Sequence, residues 1–317
     1  RSAAAPGGLA MKQPLPAREI SPVARFWAEF QESKVAVAAL VVVLLMLGVA
    51  IFAPLVAPQN PYDLANLVLM DARRPPGYVG SGGYTHILGT DAQGRDLFSA
   101  ILYGSRVSIL VGCAAVAFAA VLGITLGLVA GYRGGWVDSL IMRVADVQLS
   151  FPAILVALLI FGVFKGVVPP ALHDKAAIYV LILAIGLSDW AQYARTVRSS
   201  TLAERNKEYV QAARVIGVSG PRIMLRHVLP NVMGPVLVLT TIDIGQAILI
   251  EATLSFLGVG VPPTTPSLGT LIRIGGDFLF SGEWWITVFP GAMLVLIALS
   301  VNLLGDWLRD ALNPRLR

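Results

Sequence analysis

Long apolar runs separated by short polar stretches make up most of this chain. The run 35–56 holds about 22 residues without a charge, enough to cross the roughly 30 Å hydrocarbon core of a bilayer as a helix. It is longer than the apolar region of a secretory signal, so it is expected to stay in the protein. Further runs at 107–131, 140–164, 176–190 and 232–256, and a last one ending near Leu304, predict five more spans. The pattern thus predicts an all-α integral membrane protein with six transmembrane helices. Residues 57–106 read as an external segment with short helices, because Pro58, Pro61, Pro75, Pro76 and the Gly80–Gly83 cluster preclude long ones. Residues 107–308 form the transmembrane core. It includes a polar loop at 195–231 between the fourth and fifth spans, and 1–34 and 309–317 are tails.

Composition agrees with this reading. The 317 residues are 56% hydrophobic and 14% charged, with a mean hydropathy of +0.73, which excludes an ordinary soluble domain. The net charge of +5 does not indicate a nucleic-acid partner, because the basic residues are dispersed with no aromatic-interleaved face. Their distribution instead orients the chain. Lys12, Arg18, Arg25 and Lys34 precede the first span, and Arg195, Arg198, Arg205, Lys207, Arg214, Arg222 and Arg226 outnumber Glu204 and Glu208 in the polar loop. Positive residues stay cytoplasmic, so both termini and this loop are expected inside. The single cysteine, Cys113, allows no internal disulfide and reads as a small lipid- or helix-facing residue. Residues 1–10, ahead of Met11, read as an appended leader or a weakly ordered start.

Particular positions refine the elements. Gly123, Gly127 and Gly131 recur every fourth residue and predict close approach to a neighbouring helix. Arg143 and Asp146 are three apart and can pair on one helix face, and Phe151-Pro152 marks a kink. Asp243, Ala247 and Glu251 follow at steps of four, which places both carboxylates near one face. Such groups avoid lipid, so they line a pathway or are held by hydrogen bonds in the interior, and the residues leave both readings open. Asp146 is a weaker pathway candidate. Asp91 is a candidate cap for a helix beginning near Arg95, with Gly89 and Gly94 allowing tight turns. Trp284 and Trp285 stand where an aromatic belt marks the interface. In the polar loop, Glu208–Ile216 predicts a helix closed by Gly217 in the left-handed conformation. A second begins at Ser219 with Pro221 inside its start and is ended by Pro230.

Ala212-Ala213, Gly217 four residues on, and then Leu229-Pro230 resemble the EAA loop of ABC-importer permeases, which in that family sits in a groove of the cytoplasmic ATPase. Gln211 stands where Glu is usual and His227 where Ile is usual. The string Arg226-His227-x-Leu229-Pro230-Asn231 is itself similar to the peptide and nickel branch. Leu88-Gly89-Thr90-Asp91-x-x-Gly94-Arg95-Asp96, with Tyr103–Arg106 after it, resembles a signature of the C-type subunit of that branch. So do the stretch Glu251–Gly260 and the closing Asn302–Pro314. The resemblance spans about Leu40 to Arg315. It implies a permease subunit that moves small peptides, or related peptide-like or nickel-chelate solutes, across a bacterial inner membrane. Its implied partners are a second, B-type permease, two ATPase subunits carrying ATP and Mg, and an extracytoplasmic solute-binding protein. The implied ATPase-coupling residues are Glu208, Gln211, Ala212, Ala213, Gly217, Arg226, Leu229 and Pro230. For Gly89, Thr90, Asp91, Gly94, Arg95 and Asp96, a capped turn and a contact with substrate or binding protein both remain open.

Some chemistry is missing from the sequence. There is no Gly-x4-Gly-Lys-Ser/Thr phosphate loop, so energy is expected from partner subunits, with no cofactor in this chain. His86, His173 and His227 are scattered and no HExxH pair or cysteine cluster occurs, so neither a metal site nor enzymatic activity is expected. Two other classes compete. An ion-coupled secondary transporter would use Asp243 and Glu251 and should carry inverted repeats, of which none is clear. A purely structural membrane subunit would need no docking loop. Dependence on ATP tests the first, and loss of transport on loop mutation tests the second.

Overall fold

The structure, a computed structural model, describes residues 22–63 and 67–312. The expected leader at 1–10 and the Pro314 end of the closing signature lie outside the described residues. The helices, in chain order, are α1 (Pro22–Glu32), α2 (Lys34–Val56), α3 (Leu97–Arg133), α4 (Gly135–Leu149), α5 (Ala153–Val167), α6 (His173–Glu204), α7 (Glu208–Val215), α8 (Gly220–Ile223), α9 (Leu229–Phe256), α10 (Leu268–Gly276) and α11 (Trp285–Ala311). A two-residue strand pair, β1 (Tyr78–Val79) and β2 (Thr85–His86), adds a small antiparallel hairpin that the all-α expectation did not contain.

Among the described residues five helices are long and apolar enough to cross a membrane, and there are up to six crossings if the bent pair α4 and α5 counts as one. That pair differs from the expected continuous third span. The two helices meet at 94° across the break, far beyond a kink. Pro152 disfavours helical backbone at Phe151 and itself precedes the first residue of α5.

α3 begins at Leu97, well before the apolar run expected at 107. Its first ten residues include Ser99, Gly104, Ser105 and Arg106, which dilute hydropathy without breaking a helix. At 37 residues and 1.5 Å per residue it is about 55 Å long, so it runs out of the bilayer core and carries the extramembrane segment on its end. Its N-cap is Asp96, which accepts the Ser99 N–H at 2.8 Å, and not Asp91. Asp91 instead folds the loop just before it, accepting the N–H groups of Gln93 and Arg95 at 2.8 and 2.9 Å.

α3 and α6 form the central seam. A Cβ on Gly123 would lie 2.3 Å from the Tyr193 Cβ, one on Gly127 2.4 Å from the Ala194 carbonyl oxygen, and one on Gly131 2.7 Å from the Thr201 Cβ. The four-residue glycine spacing therefore lets α6 lie against the α3 backbone, as expected. Around this seam Val111, Ala115, Leu181, Ile185 and Val236 form the larger core, and Leu97, Ile101, Leu268, Leu271 and Ile286 a second one at the α3 start.

Two pairings differ from expectation. Arg143 is exposed, and Asp146 pairs with Arg195 of α6 at 2.5 Å because that guanidinium reaches it across the helix contact. Trp285 is buried under the extramembrane segment, its Nε1 donating to the Thr90 carbonyl at 3.3 Å, so only Trp284 has the half-exposed position of an interfacial aromatic.

Candidate functional site

The polar loop between α6 and α9 folds as a compact knob at the end of the bundle opposite the hairpin. α7 closes in a Schellman motif: Gly217 donates to the Arg214 carbonyl at 3.0 Å and Val218 to the Ala213 carbonyl at 3.0 Å. Gly217 has φ +82°, as its position in the sequence predicted. The chain then runs helically from Gly220 to Phe256, through a single π-turn at Met224–Val228. Pro230 therefore does not end the second helix. It has no N–H for the Arg226 carbonyl, and the wider turn, closed by Leu229 N–H to the Met224 carbonyl, accommodates its ring.

Three side chains outside the implied coupling residues hold the knob to the bundle. The Tyr209 hydroxyl donates to Glu204 Oε1 at 2.5 Å and accepts from Asn231 Nδ2 at 3.0 Å, while Asn231 also donates to the His227 carbonyl at 2.7 Å. Partial burial and the adjoining Glu204 carboxylate push the Tyr209 phenol up to about 12, so it stays a donor at neutral pH. Lys207 adds a 2.8 Å ion pair to Glu204, and Arg205 donates to the Gly131 carbonyl of α3 at 2.8 Å. Only their spacing across two helices, invisible in sequence, reveals this network.

The implied coupling residues divide by exposure. Glu208, Gln211, Ala212, Gly217, Arg226 and Pro230 are exposed, whereas Ala213 is buried against the core with Val210, and Leu229 is half-buried. Gln211 folds back, donating to the Asn206 carbonyl at 2.9 Å. The outermost side chains are ones the motif left unnamed: Val215 is 87% and Ile216 78% exposed. Arg214, whose guanidinium stacks on Tyr132, and Arg222 and Arg226 are also exposed and give the loop positive charge.

At the opposite end, Thr90, Asp91, Arg95 and Asp96 are at most 1% exposed. Arg95 Nε pairs with Asp91 at 2.6 Å, and its Nη1 reaches the Pro263 carbonyl at 3.1 Å, tying this segment to the α9–α10 loop. Asp96 receives His86 Nδ1 at 3.0 Å and the Ser99 hydroxyl at 2.7 Å. A Cβ at Gly89 or Gly94 would lie 2.5 Å from a backbone carbonyl, and both have positive φ. The signature thus builds the segment from within, as a turn. The side chains on its surface are others, among them Leu69, Met70 and Phe280.

Inside the bundle the two carboxylates of α9 have different surroundings. Glu251 is fully buried and satisfied by the Ser108 hydroxyl at 2.6 Å and the Ser255 hydroxyl at 2.7 Å, which matches the hydrogen-bonded interior reading. Asp243 keeps one oxygen without a partner. Asp189 on α6 is a further half-buried acid, which the hydropathy pattern passed over because it stands alone in an apolar run.

These features have counterparts among known proteins. Residues 123–317 match the model of the binding-protein-dependent transport system inner membrane component family, and residues 21–76 that of the N-terminal transmembrane domain of oligopeptide transport permease C. The chain belongs to this permease family. It is 40% identical to the dipeptide transport system permease protein DppC of Escherichia coli K12, over 94% of this permease and 95% of the relative. It is 37% identical to the di/tripeptide transport system permease protein DppC of Pseudomonas aeruginosa, over 94% and 93%. A chain of the inward-facing MetNI methionine ABC transporter shares its fold with a TM-score of 0.51 and 16% identity, over 68% of this permease and 96% of that chain.

Proposed function

We propose that this permease is the C-type half of a peptide importer, forming a shared pathway with a second permease. Two ATPase subunits, which bind ATP and Mg, dock at the α7–α8 knob, and a solute-binding protein delivers substrate at the hairpin end. The observation that carries this reading is the knob itself. An exposed apolar pair, Val215 and Ile216, in a loop that also exposes Arg214, Arg222 and Arg226, belongs to an element anchored by the Glu204–Tyr209–Asn231 network. Exposed apolar side chains among charged ones have the composition of a protein interface. The positive charge of the loop supports a cytoplasmic position, with both termini on that side.

Mechanistically, closure of the ATPases would move the knob as one piece. Because α8, the π-turn and α9 are one continuous helical run, displacement at Val215 would tilt α9 and, through the α3–α6 seam, the rest of the bundle, alternating access. Relatives named as dipeptide and di/tripeptide permeases support small peptides as the substrate class.

Purification of the tagged chain from its native membrane in mild detergent, with mass-spectrometric identification of what accompanies it, tests the assembly. A second permease and Walker-motif ATPases are expected. A chain that purifies alone and moves solute without ATP would overturn the reading.

A further inference from the structure

α2 is buried against the bundle only near its two ends, through Ala36 and Ala39 and through Ala50 and Ala53. Between them, from 40 to 49, no residue is buried. There a cleft of about 160 Å³ opens between α2, α3, α9 and α11, with Met46, Cys113, Ile244 and Ile297 among its walls. Its one hydroxyl, on Thr241, donates to the Val238 carbonyl at 2.8 Å, so the walls offer only hydrocarbon and the Cys113 thiol. Leu47, Ile109 and Cys113 also line a second, more open groove of about 530 Å³, which continues between α2 and α3 as far as Arg106. The two make one continuous groove. On α2 it extends from Ile51 to Val43, about 12 Å at 1.5 Å per residue, which approaches half of the roughly 30 Å hydrocarbon core.

Arg106 stands at the mouth of the groove. It comes directly before the apolar run that starts at 107, and of the string Tyr103–Arg106 it alone is exposed. Among the described residues it has no ion pair, whereas Arg95 at the start of the same segment is neutralised by Asp91. A charged group at the end of an apolar run reaches for the headgroup level. Below it, walls that no side chain meets lose dispersion contacts, which close-packed proteins rarely tolerate. In a bilayer the apolar group available to fill a groove one leaflet deep is an acyl chain. A guanidinium at its mouth fits the other end of the same molecule, because its planar fork binds phosphate oxygens in pairs.

We propose that this groove is a phospholipid site. One acyl chain fills the space between α2, α3, α9 and α11, and the phosphate of the same lipid, in the leaflet at the hairpin end, binds Arg106. The lipid thereby supplies the packing that the middle of α2 does not obtain from side chains, and joins α2 to the bundle between its two alanine contacts. The site is separate from the knob and from the buried carboxylates of α9.

A photoreactive lipid tests it. The assembled transporter in detergent is incubated with phosphatidylethanolamine carrying a diazirine midway along one acyl chain, washed in lipid-free detergent and irradiated. Labelled positions are then mapped by mass spectrometry of this chain. Label is expected at Met46, Leu47, Cys113 and Ile297, at least about tenfold above Val121 and Leu159, exposed apolar residues outside the groove from which lipid exchanges freely. Arg106→Gln should lower the label in the groove by about tenfold and leave that at Val121 unchanged. Cys113→Phe, which fills the cleft without touching the charge, should lower it as well. Even labelling of all exposed apolar faces, or groove labelling that survives both substitutions, would overturn the site. So would a groove without label, the result if a helix of another subunit covers it.

Discussion

Tyr209 sits where α6, α7 and α9 meet, and its hydroxyl is the one atom shared by Glu204 and Asn231. Tyr209→Phe removes both bonds while leaving the ring in place, and is expected to cost about 1–3 kcal/mol. A lower melting temperature for the purified complex and less transport per ATP hydrolysed would show it. Gly217→Ala acts differently: nothing lies within 4 Å of a Cβ there, so the cost is the left-handed backbone alone, about 1–2 kcal/mol, measured by the same melting shift. Ala213 makes a poor probe of docking, because it is buried and a bulky charge there would damage this chain first. In the hairpin segment, burial of Asp71 acts to raise its pKa. The hydrogen bonds from the Ser81 N–H and hydroxyl and from Tyr78, with His86 close by, outweigh this and hold it below 3.8. Its stabilisation is therefore complete above 3.8 and lost as the pH falls through the lower folded value. Asp71→Asn is expected to flatten the acid limb of a stability–pH profile.

Elements were legible wherever periodicity and small residues speak for themselves. The α3 glycines marked their seam with α6, and Gly217 marked the end of α7. The seam is expected to be intolerant: Gly127→Leu puts a side chain into the α6 backbone and should abolish the folded complex in detergent, since overpacking here has no flexible neighbour to move. Gly162→Ala on α5, where the added Cβ meets nothing, should be neutral or stabilising by up to about 1 kcal/mol. Size-exclusion profiles of the two variants check both. Other elements were not legible. Proline at 152 and at 230 gives one local signal with two outcomes, a 94° break and a helix carried through a π-turn. Packing of the segments on either side decides between them, and hydropathy does not contain it. Hydropathy also misses the first turns of α3, which extend beyond the apolar run.

For the whole molecule, membrane class, approximate spans and family were readable because they rest on long runs and separated motifs. The divided roles of the site residues were not. Arg95 and Asp91 leave a turn and a recognition contact equally open in sequence but are buried together, and Asp243 and Glu251 share a face yet Asp243 keeps one oxygen without a partner while Glu251 is held by serines. Tyr209 and Asn231 gain meaning only from each other, although they are 22 residues apart. The central claim is that force enters at the exposed tip of the knob. It is tested most directly by ATP-driven dipeptide uptake and ATP hydrolysis in proteoliposomes carrying the full transporter with Val215→Asp/Ile216→Asp. Both side chains point away from this chain's core, so folding and melting temperature should be preserved while uptake falls by at least about tenfold, the loss of one or two buried apolar anchors. Uptake at the unsubstituted rate, with the charged tip confirmed in place, would contradict the account.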